Sequence, residues 1–424
     1  MKLLSTLTIL IWFQGIACET RVFSEDFNKV SLRAKIDRVQ PMTGIVLWTG
    51  NEILQEDRKS RKEEVPIQLE FIYMGYDQIV KEKGIYNWEP VEKILKRVAL
   101  RKHQAIIRWH DCYVGKATGV PQYIKKSKNY HEIEALSEKK KTGFPDWSNQ
   151  EWQDFLPDFF TQFAKKYQID PRIAFVEVGF GLWGEYHIYD GPMKLGKTFP
   201  SKSFQTKFMN HLDKTLQKIP WMISIDAAGD HTPFANNPQL LQKKFGLFDD
   251  SFNQKNHSQE NEPNWRIMGL ERWKSSPMGG EFSFFEDEDQ KKALSIQGAH
   301  GIPFSRQAAK FHISFMIGDD QPNYQSLQTI KENGLACGYR FQIIRFETSP
   351  SQAKIVVKNI GIAPIYYDAF PAIDGVRSKE SLKGLLPFES KSFLISKGGR
   401  KPKLTIECDH LVPGQRIDFE ANLP

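Results

Sequence analysis

Residues 176–191 read VEVGFGLWGEYHIYDG, and the stretch changes character halfway along. An apolar run that begins at Ile173 gives way to Gly179, Gly181 and Gly184, and then to Trp183, Glu185 and His187. The turn residues Asp170 and Pro171 precede it, so the order is turn, buried strand, glycine-rich bend, then polar and aromatic groups. A strand that ends in such a cluster predicts a (β/α)8 barrel, whose chemistry sits at the C-terminal ends of its strands. The plainer alternative is a strand followed by an irregular loop, with Glu185 and His187 merely solvated.

Working outward, the same grammar repeats. Apolar strand candidates fall at 43–51, 66–76, 104–113, 173–181, 221–229, 246–252, 277–285 and 311–320. Amphipathic stretches separate them. In WEPVEKILKRVALRKH (88–103), Val91, Ile94, Leu95 and Val98 fall at helical spacing. WSNQEWQDFLPDFFTQFAKKY (147–167) predicts a helix opened by a capping box of Ser148 and Glu151. SFQTKFMNHLDKTLQKI (203–219), NPQLLQKKF (237–245), NEPNWRIMGLERWKSS (261–276) and SRQAAKF (305–311) continue the series, and NYQSLQTIKENG (323–334) closes it with Gly334 as C-cap. A doubly wound open sheet is the runner-up, but no GxGxxG follows the first strand. Beyond Cys337 the helical periods stop, and strand alternation with turn residues predicts a small antiparallel β-sandwich over 337–424, the barrel occupying 18–336.

With 40% hydrophobic and 26% charged residues in 424, the composition is that of a globular protein. MKLLSTLTILIWFQGIA (1–17) has the basic start, apolar run and small residues of a secretory signal peptide, which predicts a secreted or periplasmic protein. Cleavage there would expose Cys18, a possible site for a lipid anchor, although Gly15 stands where a lipobox has Leu. No other segment could span a bilayer. Cys112, Cys337 and Cys408 show no CxxC spacing and indicate neither a zinc site nor a disulfide scaffold. A net charge of +7 without nucleic-acid motifs points toward an anionic partner, though the lysine runs SEKKK and IKKSK read as solvated faces.

The strand ends are rich in carboxylates and tryptophan and poor in Ser, Cys and Lys nucleophiles. Trp48, Arg108, Trp109, His110, Asp111, Trp183, His187 and Asp226 are the candidate substrate contacts, and Glu185 and Glu281 the candidate catalytic pair. Glycoside hydrolysis needs one protonated and one ionised carboxyl, and strands four and seven face each other across a barrel mouth. GLWGE and MGGE both place glycines before the glutamate, which would let a sugar ring come close. Glu177, inside the fourth strand, would be costly unpaired, so it either meets Arg108 or lines the barrel floor. Asp249, Asp250, Asp319 and Asp320 read as loop-surface acids, since neither pair has a calcium-loop spacing. No metal and no cofactor is called for.

Several segments, KGIYNWEPVEKIL (83–95), AIIRWHDCY (105–113), PDWSNQEWQDFLPDFF (145–160), DPRIAFVEVGFGLWGEYH (170–187), PMGGEF (277–282) and KNIGIAPIYYD (358–368), resemble those of secreted bacterial barrels with a C-terminal β-domain. The placement of Glu185 and Glu281 resembles the clan-A retaining glycoside hydrolases. That resemblance implies Glu185 as acid/base and Glu281 as nucleophile. The Asn that usually precedes the acid/base is Gly184 here, so a contact to the sugar 2-hydroxyl must come from elsewhere. The expected partner is a carbohydrate, with export and basic loops suggesting an anionic glycan of the sulfated-galactan or carrageenan type. Two other readings stay open: a non-catalytic glycan-binding barrel, and a metal-dependent hydrolase or deacetylase, for which the first strand lacks His-x-His.

Overall fold

A computed structural model describes residues 26–55 and 64–424; the expected signal peptide and Cys18 lie outside the described residues. Eight parallel strands close into a barrel: β1 (Gly44–Trp48), β2 (Leu69–Gly75), β3 (Gln104–His110), β4 (Ile173–Val178), β5 (Trp221–Ser224), β6 (Gly246–Phe252), β7 (Met278–Phe282) and β8 (Phe315–Ile317). Each pairs with the next in sequence, and β8 returns to β1 through Phe315–Gly44 and Ile317–Val46. The runner-up open sheet is thereby excluded. Strand alternation divides the apolar residues into two layers. One packs β-strands against helices such as Glu89–Leu100 and Gln150–Tyr167. The other fills the barrel with Val46, Phe71, Ile106, Phe175, Met222, Phe248 and Phe315.

Three local expectations need correction. The helix Gln150–Tyr167 is capped by Asn149, whose side chain accepts from Trp152 N, and Ser148 instead bonds Asp146. The segment 237–245 yields a single turn, Pro238–Leu241. It stops because Arg272 takes the carbonyls of Leu241 (2.6 Å) and Lys243 (2.7 Å) that a longer helix would bond internally. Gly334 lies inside the helix Leu327–Leu335, where a Cβ would stand 2.8 Å from Val39, so it is a packing residue.

The C-terminal region is a pair of sheets. One joins Phe341–Thr348, Ala353–Asn359 and Ser390–Ile395 antiparallel, with Phe419–Leu423 running parallel to Phe341–Thr348. The other holds Ala369–Ile373, Val376–Arg377 and Leu404–Cys408. The short strands Asn28–Lys29 and Leu32–Ala34, expected with the barrel, complete the first sheet instead. This domain seals the N-terminal end of the barrel. Tyr367 donates to Ala174 O (2.6 Å) and Tyr339 to Pro41 O (3.1 Å), and Gln104 donates to His410 O (2.9 Å). It therefore stands at the face opposite the strand ends that carry Glu185 and Glu281.

Candidate active site

The bend after β4 explains its glycines. A Cβ on Gly179 would stand 1.7 Å from Gly184 O, and one on Gly181 would stand 2.3 Å from His187 O. The glycines therefore let the chain fold over its own backbone, rather than leave room for a sugar. The bend also holds Trp183 (φ 53°) and Tyr186 (φ 62°) in the left-handed region, a cost found where a surrounding structure fixes a functional geometry. The glycines of β7 are likewise packing residues. A Cβ on Gly279 would stand 2.5 Å from the Phe315 ring and one on Gly280 2.1 Å from Asp249 O.

Alternation along β3 decides which of its predicted residues reach the cleft. Arg108 points into the barrel. Trp109 points outward, stacked on Tyr76 (5.7 Å, 20°) and edge-on to Phe159 (4.7 Å), so it is a core residue rather than a substrate contact. Asp111 is also buried, beside the backbone of Gly181 and Cys112; burial pushes its carboxyl up to about 7, against the pull of those N–H groups. His110 sits against the rings of Tyr73 (6.0 Å) and Tyr113 (5.3 Å), and burial pushes it down to about 3, so it is neutral. Neither Asp111 nor His110 lines the cleft.

Arg108 is the pivot of the site. Its Nε donates to Glu177 Oε2 (2.6 Å), and its Nη1 to Tyr73 OH (2.9 Å) and to Glu185 Oε1. The guanidinium lies 4.2 Å from the Phe248 ring centre, so Phe248 also faces inward. Tyr73 OH donates to Glu185 Oε1 (3.2 Å). This one cation faces a surplus of acids. Burial raises Glu185 well above the usual carboxylate range, Asp250 adds to the rise, and Arg108 and His187 oppose it. Burial likewise pushes Glu281 up to about 8, against Arg108 and with Glu185 and Glu177. Asp250 is raised by burial and by Asp226 and Asp249, and its carboxylate lies within 4.8 Å of that of Glu185.

His187 ties the other side together. Its Nδ1–H donates to Asp226 Oδ2 (2.8 Å), and its Nε2 lies 3.7 Å from Glu185 Oε2. Burial would lower its pKa, but Asp226 and Glu185 raise it overall. The ligand atoms of Glu185, His187 and Asp250 lie within 4.8 Å of one another, a grouping that could share a metal ion.

These residues floor a cleft of about 680 Å³. Of the predicted residues, it brings together Trp48, Trp183, Glu185, His187, Asp226 and Glu281, with Arg108 directly beneath. Tyr73, Tyr113, Glu138, Tyr189 and Asp250 line it too and were missed as site residues. Tyr189 stacks on Trp183 (6.1 Å, 19°) and donates to Glu138, which sits at the tip of the hairpin Ile133–Ser137/Lys140–Phe144. Asp250 had a signal: in GLFDDSF it has the same parity as Phe248. Of the four acids read as surface loops, Asp249 and Asp250 belong to β6, whereas Asp319 and Asp320 lie in the half-buried turn after β8. Asp249 is fully buried and accepts from Asn261 (2.6 Å), Trp265 Nε1 (2.8 Å) and His257 (3.1 Å). Asp319 accepts from Trp48 N (2.7 Å) and Asn51 (2.8 Å), and Asp320 is half-buried at the start of the turn Gln321–Tyr324.

No family model and no curated protein matches the sequence. Solved structures do match in shape. Endo-glycoceramidase II from Rhodococcus sp. is 7% identical, with 87% of this chain and 100% of that one covered, at a TM-score of 0.43. The GH36 alpha-galactosidase of Geobacillus stearothermophilus is 11% identical over 87% and 57% (TM-score 0.39). A glycoside hydrolase family 30 subfamily 8 xylanase from Clostridium acetobutylicum is 11% identical over 86% and 97% (TM-score 0.37). At such scores the likenesses bear neither on the chemistry of the cleft nor on its substrate.

Proposed function

We propose that this protein is a retaining glycoside hydrolase, with Glu281 as nucleophile and Glu185 as acid/base. The observation that carries the reading is the pair of buried carboxyls from β4 and β7, gathered around Arg108 beneath an aromatic-lined cleft. In the first step a Glu281 oxygen attacks the anomeric carbon while the bond to the leaving oxygen breaks and Glu185 gives that oxygen its proton. The Glu185 carboxylate then takes a proton from water, whose oxygen displaces Glu281 and restores the starting configuration. Burial and the neighbouring Asp250 raise Glu185, which suits it to hold the proton that it gives in the first step.

The sugars in the cleft are proposed to be uncharged. Among the described residues its lining holds Glu138, Glu185, Asp226, Asp250 and Glu281 but no Lys or Arg, which would repel the anionic glycan expected from net charge. Export is part of the proposal, supported by residues 1–17, and N-terminal sequencing of the mature protein tests it. The main test is reducing-end release from a panel of neutral and charged glycans. Activity on one of them, lost in Glu281→Gln and in Glu185→Gln, is expected; full activity of Glu281→Gln would sink the nucleophile assignment. Tight binding with no hydrolysis of any glycan would favour the binding-protein reading.

The grouping of Glu185, His187 and Asp250 favours a second reading, metal-assisted hydrolysis. His187 has its Nδ1 on a carboxylate, the arrangement that orients a histidine ligand, and its Nε2 has no hydrogen-bond partner among the described residues. Dialysis against a chelator separates the two. The double-displacement reading expects unchanged turnover, whereas loss restored by added zinc or manganese would establish the second.

A further inference from the structure

A second cavity, of about 440 Å³, opens beside the cleft between the segment after β6 and the β7–β8 connection. Ser251 lines the cleft, whereas Asn253, two residues on, lines this cavity. Asn253 is 6% exposed, yet neither its amide oxygen nor its amide nitrogen has a hydrogen-bond partner among the described residues. Gln307, also 6% exposed and on the opposite wall, makes no side-chain hydrogen bond among the described residues. His257 gives its Nε2–H to Asp249 (3.1 Å) and so keeps Nδ1 as an acceptor with no partner among the described residues. Buried polar groups left without partners are costly, and those of Asn253 and His257 beside one cavity are what a ligand would satisfy.

The charge of the lining is opposite to that of the cleft. Lys310 is paired with Glu262, and Lys255 lies 3.7 Å from Glu286, but Arg306 has no carboxylate partner among the described residues. Amides and an imidazole acceptor suit sugar hydroxyls, and a free guanidinium suits a planar carboxylate. We propose that this cavity is a second saccharide site, taking a sugar unit that carries a carboxylate. The site rests on its own lining and not on the chemistry of the cleft.

Titration calorimetry of the full chain with methyl glucuronide and methyl glucoside tests it. The glucuronide is expected to bind wild type and Glu281→Gln alike, and the glucoside at least about tenfold more weakly. Gln307→Leu and Arg306→Gln should each raise the glucuronide Kd about tenfold. Arg306 is exposed on the helix Phe304–Phe311, so its variant decides the matter even if Gln307→Leu fails to fold. No binding of the glucuronide, equal affinity for the two sugars, an unchanged Kd in Arg306→Gln, or loss of binding in Glu281→Gln would each overturn the proposal.

Discussion

Two buried arginine–glutamate clusters stand at opposite ends of the barrel, and they differ in their ratio of charges. At the N-terminal end, Glu70 of β2 accepts from Arg101 Nε (2.7 Å), Arg101 Nη2 (2.5 Å) and His103 Nδ1 (2.8 Å). Burial alone would raise its pKa, yet these donors hold it below the usual carboxylate range. At the C-terminal end, Arg108 serves Glu177 and Glu185 together and faces Glu281 as well, and all three acids are raised. One acid with two donors is a fixed ion pair that ties strands together. Three acids around one cation are all raised, and carboxyls so perturbed in a cleft are candidates for acid–base chemistry.

The contrast can be broken most sharply at Glu281. Glu281→Gln should lower kcat on the order of 10⁴-fold while the fold persists, measured as glycan hydrolysis beside a thermal melt. Arg108→Met comes next. It should strand Glu177 and Glu185 as buried charges and destabilise the fold by about 3–5 kcal/mol, with kcat falling too. Arg101→Met, at the other cluster, should cost stability and leave kcat unchanged.

The pH dependences should run in opposite directions. Glu281's folded pKa, about 8, lies above its reference value of 4.5, so its contribution to stability is full below 4.5 and drains as pH rises through about 8. Glu281→Gln should therefore melt above wild type at pH 9 and lose that advantage at pH 4. As the proposed nucleophile it must be ionised, so kcat/KM should fall about tenfold per unit below about pH 8. Glu70 is depressed, so its contribution is present above 4.5 and lost as pH falls through its folded value. Glu70→Gln should be destabilised at pH 7 and match wild type in acid. The smallest effect belongs to Tyr189→Phe, which removes the hydroxyl bonded to Glu138; KM should rise about two- to fivefold with kcat unchanged.

The barrel was legible because each strand is a short apolar run with turn residues before it and polar groups after it. Within a strand, legibility failed at parity. Arg108 and Trp109 are neighbours in sequence, yet one faces the cleft and the other the helix Gln150–Tyr167. Asp249 and Asp250 split the same way, one holding helix Asn261–Met268 and the other lining the cleft. Composition cannot assign parity; a register anchored on one inward residue can, as Phe248 shows for Asp250. The glycines are visible but what they meet is not: Gly184 and His187 folded back within the same bend, and Asp249 and the Phe315 ring on neighbouring strands. The strands Asn28–Lys29 and Leu32–Ala34 are too short to give a period, and their partners are contributed by the far end of the chain.

That last pairing has a consequence for how the protein is made. Leu32 pairs with Leu423, and Arg38 bonds Asp418, 380 residues away. During synthesis the barrel strands can assemble while the first sheet still waits for its last member, Phe419–Leu423. Until that strand emerges, Leu32–Ala34 and one side of Phe341–Thr348 present bare edges, which invite pairing with other chains. A ribosome that stalls late would release a protein with the carboxyls of its cleft in place and its sheet unclosed. Such a molecule would be distinguished from the finished one by proteases and chaperones, not by the chemistry of its cleft.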